Sequence, residues 1–329
     1  MKTGKLAEAI LKRSVIQAVN TESEQRQWEK TGVGKDAGFF GIPGSNVRLA
    51  AACAVEEGNA EGFAALAVLR ACNSLAAAGG LPAAVTIQTL FPAAVEEEEI
   101  RSCMAELLSA CRELCVSPVN GHTQIGTAAS RMVSVTAMGA VAGGSAEEQS
   151  GGRELVMTKF AGMSASALLA IQHRESLQKK YNDALIDKAA AMRSQLSVLP
   201  EAKLLWERGI REMHDVSSGG VLGAVWELCE RRHTGVELEL KKIPIRQETV
   251  EISEFFGLNP YQMRGDGSLL FFTEDGMAAV AALERAGIPA AIIGRAIDGN
   301  DRILRNEEEV RFLEPNRVDD YDNSEWRKR

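Results

Sequence analysis

The chain has 329 residues, 45% of them hydrophobic and 25% charged, with a net charge of −8. That length accommodates about two domains of ordinary size with a sizeable core. The negative net charge argues against a nucleic-acid partner and a polybasic membrane-binding surface, and the acidic residues are dispersed apart from the run at 96–99, so no acidic tail is implied.

The opening segment, MKTGKLAEAILKRSVIQAVN, lacks the unbroken apolar core and cleavage site of a signal peptide. No stretch approaches the ~18 consecutive apolar residues of a membrane span, so a cytoplasmic protein is expected. Cys53, Cys72, Cys103, Cys111, Cys115 and Cys229 never form a CxxC pair. They read as small buried thiols of a reducing compartment rather than as metal ligands or disulfides.

Ala7, Ile10, Leu11, Val15 and Ile16 share one face of a helix predicted over 5–18. A glycine-containing loop, a short strand over 37–42 and a buried strand over 47–55 follow. Residues 60–78 form an alanine-rich helix that stops at Gly79-Gly80. A strand over 82–91, an amphipathic helix over 96–115 and strands over 116–119 and 132–141 complete the first half. The stretch AVAGGSAEEQSGGREL is small, polar and rich in glycine, so the division is placed there, giving domains 1–150 and 151–329. The second half opens on a strand over 154–159 and continues through helices to about 208. Strands then fall over 236–240, 268–272 and 290–295, with helices over 248–256 and 276–286. Both halves mix strands and helices without strict βαβ alternation, which predicts two α+β domains.

Four stretches carry candidate chemistry. In MHDVSSGGVLGAVWELCERR (213–232), Val221, Leu222, Val225, Trp226, Leu228 and Cys229 form the apolar stripe of a helix. Ser217 or Ser218 is suited to cap it, and Gly219 and Gly220 let the backbone approach something closely. Free amides and the helix dipole make such a terminus an anion site, or it is a plain capped helix with Asp215 in the turn. In VNGHTQIG (119–126), His122 is a phosphate donor, a general acid or base, or a loop histidine bonded to backbone. Asp36, ahead of an apolar strand, binds Mg²⁺ or merely starts the strand. Its glycines at 32 and 34 do not fit the GxxxxGK[ST] phosphate loop. Asn73 and Ser74 are polar inside a helix of Ala, Leu and Cys, as a buried hydrogen-bond site or the edge of a pocket.

The order of these motifs is more specific than any one of them. G-x-G-x-D-A, R-L-A, N-x-L-A-A-x-G-x-x-P, N-G-H-T, M-H-D-x-x-x-G-G, I-P-I-R and a final G-D-G follow one another along the chain. This order resembles the AIR synthase-like superfamily, nearest its HypE-type branch, over about residues 5–313. The resemblance implies a two-domain α+β fold and a homodimer whose N-terminal domains pair into a joint β-barrel. It further implies ATP bound near that interface, with Mg²⁺ bridging the triphosphate to acidic residues. Asn73, Gly121, His122, Thr123, Ser217, Ser218, Gly219 and Gly220 then fall at nucleotide-binding positions, Asp36 at a metal position, and His122, His214 and Asp215 are candidate catalytic residues.

Several positions depart from that pattern. The branch shows G-D-D-A where this chain has Lys35 before Asp36, S-T-D where it has Cys53 or Ala54, and N-D where it has Ser74. Asn120 and Gln124 replace a glycine and a glutamate beside Gly121-His122-Thr123. One carboxylate suffices for a Mg²⁺ held mostly by phosphate and water, but not for several ions. Lys35 would pair with phosphate directly or tie up Asp36. The sequence closes on DNSEWRKR, without the terminal cysteine that carries the cyanide precursor in the HypE-type branch. The expectation is therefore an ATP-binding dimer with phosphoryl-transfer chemistry on another substrate. The alternative is a non-catalytic paralogue that binds a nucleotide or a protein partner.

Overall fold

A computed structural model describes residues 5–26, 29–42, 44, 46–141, 152–315 and 318–322. The glycine-rich stretch chosen as the domain division and the last seven residues lie largely outside these. The chain divides into two compact units, residues 36–144 and residues 145–329 together with 1–35.

Helix α1 (Glu8–Leu11) passes through a π-helical turn at Lys12–Ile16 into α2 (Gln17–Arg26). The helical run is longer than predicted, and its expected apolar stripe is not buried: Val15 is 41% exposed. Polar contacts tether the segment instead. Lys5 reaches Glu227 at 2.6 Å, Trp226 Nε1 donates to Glu8 at 2.9 Å, and Lys12 reaches Glu230 at 2.8 Å. These ties explain why residues 1–35 group with 145–329, whereas the sequence division assigns them to the first domain.

The unit 36–144 contains β1 (Gly38–Gly41), β2 (Arg48–Glu57), α3 (Phe63–Ala77), β3 (Gly80–Pro92), α4 (Glu97–Glu113), β4 (Ser117–Gly126) and β5 (Met132–Val141). Its five strands lie in the order β1-β2-β5-β3-β4, with only β3 and β4 parallel. Period-two alternation sends Ala50, Ala52, Ala54, Val85, Ile87, Val133, Val135 and Ala137 to the face covered by α3. Glu96 and Glu99 close a capping box on α4. On the other face Cys53, Val55 and Met132 are exposed. Among the described residues no sheet closes into a barrel.

The second unit contains β6 (Glu154–Thr158), α5 (Met163–Gln172), α6 (Arg174–Leu177), α7 (Asp183–Ala191), α8 (Leu199–Glu207), β7 (Met213–Asp215) and α9 (Gly220–Arg232). It continues with β8 (Gly235–Glu239), α10 (Gln247–Phe256), β9 (Leu269–Thr273), α11 (Gly276–Arg285), β10 (Ala290–Ile297), β11 (Arg302–Asn306) and β12 (Glu309–Phe312). Seven strands form one sheet in the order β12-β11-β8-β10-β6-β9-β7. The stripe of α9 packs on Leu155, Met157, Leu270 and Phe272, one alternate set of β6 and β9. The other set faces α8 and α11. The β11–β12 hairpin escapes sequence reading because charged residues mask its alternation, and Glu307 takes the left-handed turn position (φ 58°) where glycine or asparagine is usual. No helix among the described residues is long and apolar enough to cross a membrane.

Between β6 and α8 lies an ion pair. Lys159 Nζ contacts Glu201 Oε1 at 2.7 Å and also donates to the carbonyls of Gln195 and Ser197. Glu201 is 0% exposed, and burial pushes its carboxyl above the ordinary 4.5 against the pull of Lys159. Removing one partner of such a pair costs ~3–5 kcal/mol, because the other charge stays buried. A carboxyl raised in the folded state contributes stability that is complete below its unfolded value and lost as pH rises through the folded value. Lys159→Met is therefore expected to lower unfolding free energy most at neutral pH and least near pH 4, measured by urea denaturation across that range.

Candidate functional site

Strand β7 is the edge of the seven-stranded sheet, paired antiparallel to β9 with His214 opposite Leu270. All three of its residues are buried, so the polar turn read from MHD is a short strand. The chain leaves β7 through half-buried Ser217 and Ser218 and enters α9 at Gly219. Gly219 is the left-handed N-cap (φ 92°), and no side chain caps this helix, so neither serine does so. The backbone path explains this: a serine at an N-cap uses extended backbone, whereas this entry turns on positive φ at two successive residues.

The glycines approach the protein's own backbone. A Cβ on Gly220 (φ 64°) would lie 2.5 Å from the Tyr261 carbonyl oxygen and 2.7 Å from that of Met263. Leu222 N donates to Tyr261 O, and Gly265 N donates to Ser217 O. The 259–268 loop, which carries the G-D-G motif, is thus clamped against the head of α9. It also reaches the head of α5, where Ala165 N donates to Arg264 O and Ser164 bonds the Asp266 carboxylate.

An anion occupies the head of α9. Asp319 Oδ2 accepts from Gly219 N at 2.6 Å, and Oδ1 accepts from Arg264 N at 3.1 Å and Tyr321 N at 2.9 Å. Asp319 is 4% exposed; burial pushes its carboxyl up to about 6, against the opposing pull of the Arg264 guanidinium. Sequence reading finds the terminus but not its occupant, which lies 100 residues away with no motif around it.

His214 Nε2 lies 3.2 Å from Glu227 Oε2, and Lys5 Nζ lies 2.6 Å from Glu227 Oε1. One carboxylate, about two turns into α9, thereby fixes the imidazole and is itself held by the N-terminal segment. Burial alone would raise Glu227, but Lys5 and His214 together bring its carboxyl down to about 2. The sequence places Glu227 on the polar face of its helix and gives no sign of either partner.

The candidates of the other unit are placed differently from expectation. Gly121, His122 and Thr123 lie in β4, an exposed edge strand, not in a loop. Strand alternation divides them between two faces. Thr123 bonds Thr89 on the helix-covered side, while His122 lies opposite Gln88 and 3.4 Å from Gln124 on the other. Gly121 is required by proximity, since a Cβ there would sit 2.4 Å from the Ile87 carbonyl oxygen. Asn120, Gly121, His122 and Thr123 border an open pocket of about 330 Å³ that Ile87 and Met104 also line. Asn73 is 1% exposed within α3. Asp36 is half-buried just ahead of β1, and the Lys35 ammonium goes to the Lys30 carbonyl at 2.6 Å and toward Glu29. The Asp36 carboxylate fits one Mg²⁺ held mainly by phosphate oxygens and water.

A carboxyl lowered in the folded state stabilises above its unfolded value and loses that contribution as pH falls through the folded one. For Glu227 the interval from 4.5 to about 2 corresponds to ~3 kcal/mol at most, reduced by partial exposure. Glu227→Gln and Lys5→Ala are each expected to lower stability at pH 7 by ~1–3 kcal/mol. Their urea midpoints should converge on that of the parent as pH falls toward 2.

Residues 34–141 match the AIR synthase related protein N-terminal domain, and residues 151–305 match its C-terminal domain. The carbamoyl dehydratase HypE of Rhodobacter capsulatus is 27% identical over 242 residues, covering 70% of this chain and 69% of that protein. A structure of the hydrogenase maturation protein HypE in complex with ATP superimposes with a TM-score of 0.66 at 18% identity, covering 92% of this chain and 95% of its own. A ThiL structure complexed with AMPPCP and TMP gives 0.68 at 15% identity, covering 95% and 99%. The two structures establish the likeness of fold. With both domains matched in order and most of the chain covered, the protein belongs to the AIR synthase related family.

Proposed function

We propose that this chain binds ATP and transfers its phosphoryl group to a substrate. The observation that carries the reading is the anion site at the head of α9, where backbone N–H groups of Gly219 and Arg264 converge with the buried Arg264 side chain nearby. Such donors suit phosphate because they are fixed before the ligand arrives. HypE and ThiL relatives bound to ATP and AMPPCP support a nucleotide as the ligand. In this reading Ser217, Ser218, Gly219 and Gly220 hold phosphate, and Asn73, Gly121, His122 and Thr123 are nucleotide-binding candidates of the 36–144 unit. Asp36 holds a single Mg²⁺, which would supply charge neutralisation. His214, kept in register by Glu227, and Asp215 are the acid–base candidates.

The assignment of residues 1–150 to an N-terminal ATP, metal and dimerisation domain and of residues 151–329 to a C-terminal domain belongs to the same proposal, as does a cytoplasmic homodimer. The face of the five-stranded sheet that shows Cys53, Val55 and Met132 supports pairing between two copies. A second reading, a non-catalytic paralogue that binds a nucleotide or a protein partner, is favoured by Lys35, Ser74 and Cys53 or Ala54 at positions where the branch carries acids. Phosphoryl transfer depends on charge neutralisation, so losing those carboxylates slows it.

Thermal unfolding with ATP, with and without Mg²⁺, and phosphate release from the same samples test both readings. At ~100-fold saturation a ligand stabilises the folded state by ~2.7 kcal/mol. A Mg²⁺-dependent shift with turnover, both lost in Asp36→Ala, is expected for the enzyme. A metal-independent shift without turnover would favour the non-catalytic reading. No shift at millimolar ATP would overturn nucleotide binding.

A further inference from the structure

Two remote points of the N-terminal segment meet the same residue of α9. Lys5 Nζ lies 2.6 Å from Glu227 Oε1, and a Cβ on Gly34 (φ 74°) would lie 2.2 Å from the Glu227 carbonyl oxygen. Between these points Trp226 Nε1 donates to Glu8, and Lys12 pairs with Glu230. Arg302 backs both contacts, with its guanidinium 3.7 Å from the centre of the Trp226 ring and 2.6 Å from Glu230. Arg231 donates to the carbonyls of Gly34 and of Met213, the residue before His214. The other oxygen of the Glu227 carboxylate lies 3.2 Å from Nε2 of His214, which is buried.

We infer that Lys5 is a positioning residue for His214. Acting through Glu227, it holds the imidazole with its proton on Nε2, and Nδ1 is the nitrogen that exchanges a proton with the reacting group. The catalytic part of this inference rests on the phosphoryl-transfer reading above.

Hydrogen-bond chemistry fixes the choice of nitrogen. Against the upward push of burial, Lys5 and His214 bring the Glu227 carboxyl down to about 2, so it is ionised and only accepts. The ring nitrogen facing it therefore donates, and in the neutral ring the lone pair is left on Nδ1. The strand agrees: His214 stands opposite Leu270, whose side chain packs under α9, so the ring is turned toward Glu227. The need for Lys5 comes from the exposure of the carboxylate. The Glu227 side chain is 23% exposed, and an acid held at one oxygen alone keeps much of its rotational freedom. Lys5 on Oε1 and the imidazole on Oε2 hold both oxygens, which keeps the acceptor in line with the ring. In the proposed transfer, a proton lost by the attacking group passes to Nδ1 as its bond to phosphorus forms and the bond to ADP breaks.

The test uses full-length parent, Lys5→Met, Lys5→Arg and Glu227→Gln proteins. Nitrogen NMR of the histidine rings, recorded as pH is raised until they are neutral, reads which nitrogen carries the proton. The chain has four histidines, so the spectrum of His214→Gln assigns the ring. Phosphate release from Mg²⁺-ATP gives kcat and KM for the same proteins. The parent is expected to carry the proton on Nε2. Lys5→Met should mix the two tautomers and lower kcat ~10-fold with little change in the KM for ATP. Lys5→Arg, which keeps the cation, should restore both. A parent ring with its proton on Nδ1 would overturn the assignment. A Lys5→Met protein with the ring state of the parent, whatever its kcat, would overturn the positioning role and leave Lys5 a structural tie. Glu227→Gln reads the link from its other end, because an amide donates as well as accepts. A single tautomer retained there would also overturn the inference, and this variant decides should Lys5→Met not fold. Absence of phosphate release in the parent would overturn the phosphoryl-transfer reading and the catalytic part of the inference, while the ring spectra still decide whether Lys5 sets the tautomer.

Discussion

The larger unit is organised by a close approach of backbone to backbone at the head of α9. Gly220 lets the carbonyls of Tyr261 and Met263 come nearer than any Cβ would permit. That contact clamps the 259–268 loop between the starts of α5 and α9. The clamp in turn fixes the Arg264 amide beside the Gly219 amide, and so creates the pair of donors on which Asp319 rests. Gly162 repeats the arrangement at α5, where a Cβ would strike the Met263 side chain and the Pro260 carbonyl. In this unit α5 and α9 therefore both start from left-handed glycines, and a single loop serves both heads.

Buried polar groups collect around this clamp. His214, Asp215, Arg264, Asp266 and Asp319 are each less than a tenth exposed. Burying charge is expensive unless it is paired, so such a cluster marks a place where stability has been subordinated to something else. The partnering here is dense: Asp266 is held by Ser164, Asp319 by three amides, and His214 by Glu227. By contrast the 36–144 unit keeps its buried charge to few pairs, such as Arg70 with Glu56, and rests on small residues packed under α3.

Much of the architecture was legible because it is local. The stripe of α9 is buried where its 3.6-residue period puts it, and β2, β3, β5, β9 and β10 fall near their predicted positions. The failures share a cause. β4 is an edge strand, paired on one side only and exposed along its length, so nothing forces an apolar alternation on it, and NGHT read as a loop. The β7 strand is three residues long and takes its identity from its partner β9. At the head of α9 the sequence offers either an anion site or a plain capped helix and gives no sign of Asp319, which meets Gly219 only after the intervening fold is complete. Glu227 and Glu230 lie on the charged face of α9, and nothing local shows that they are taken up by Lys5 and Lys12 from more than 200 residues away.

Glu227 has one further meaning. Its two oxygens are divided between the N-terminal segment and the imidazole of His214. A carboxylate shared in this way is a point of thermodynamic reciprocity: whatever alters the charge that His214 presents to Glu227 alters the hold of Lys5 on the same group, and by an equal free energy in the opposite direction of cause. The docking of residues 5–26 and the state of the His214 imidazole are thus two readings of one equilibrium.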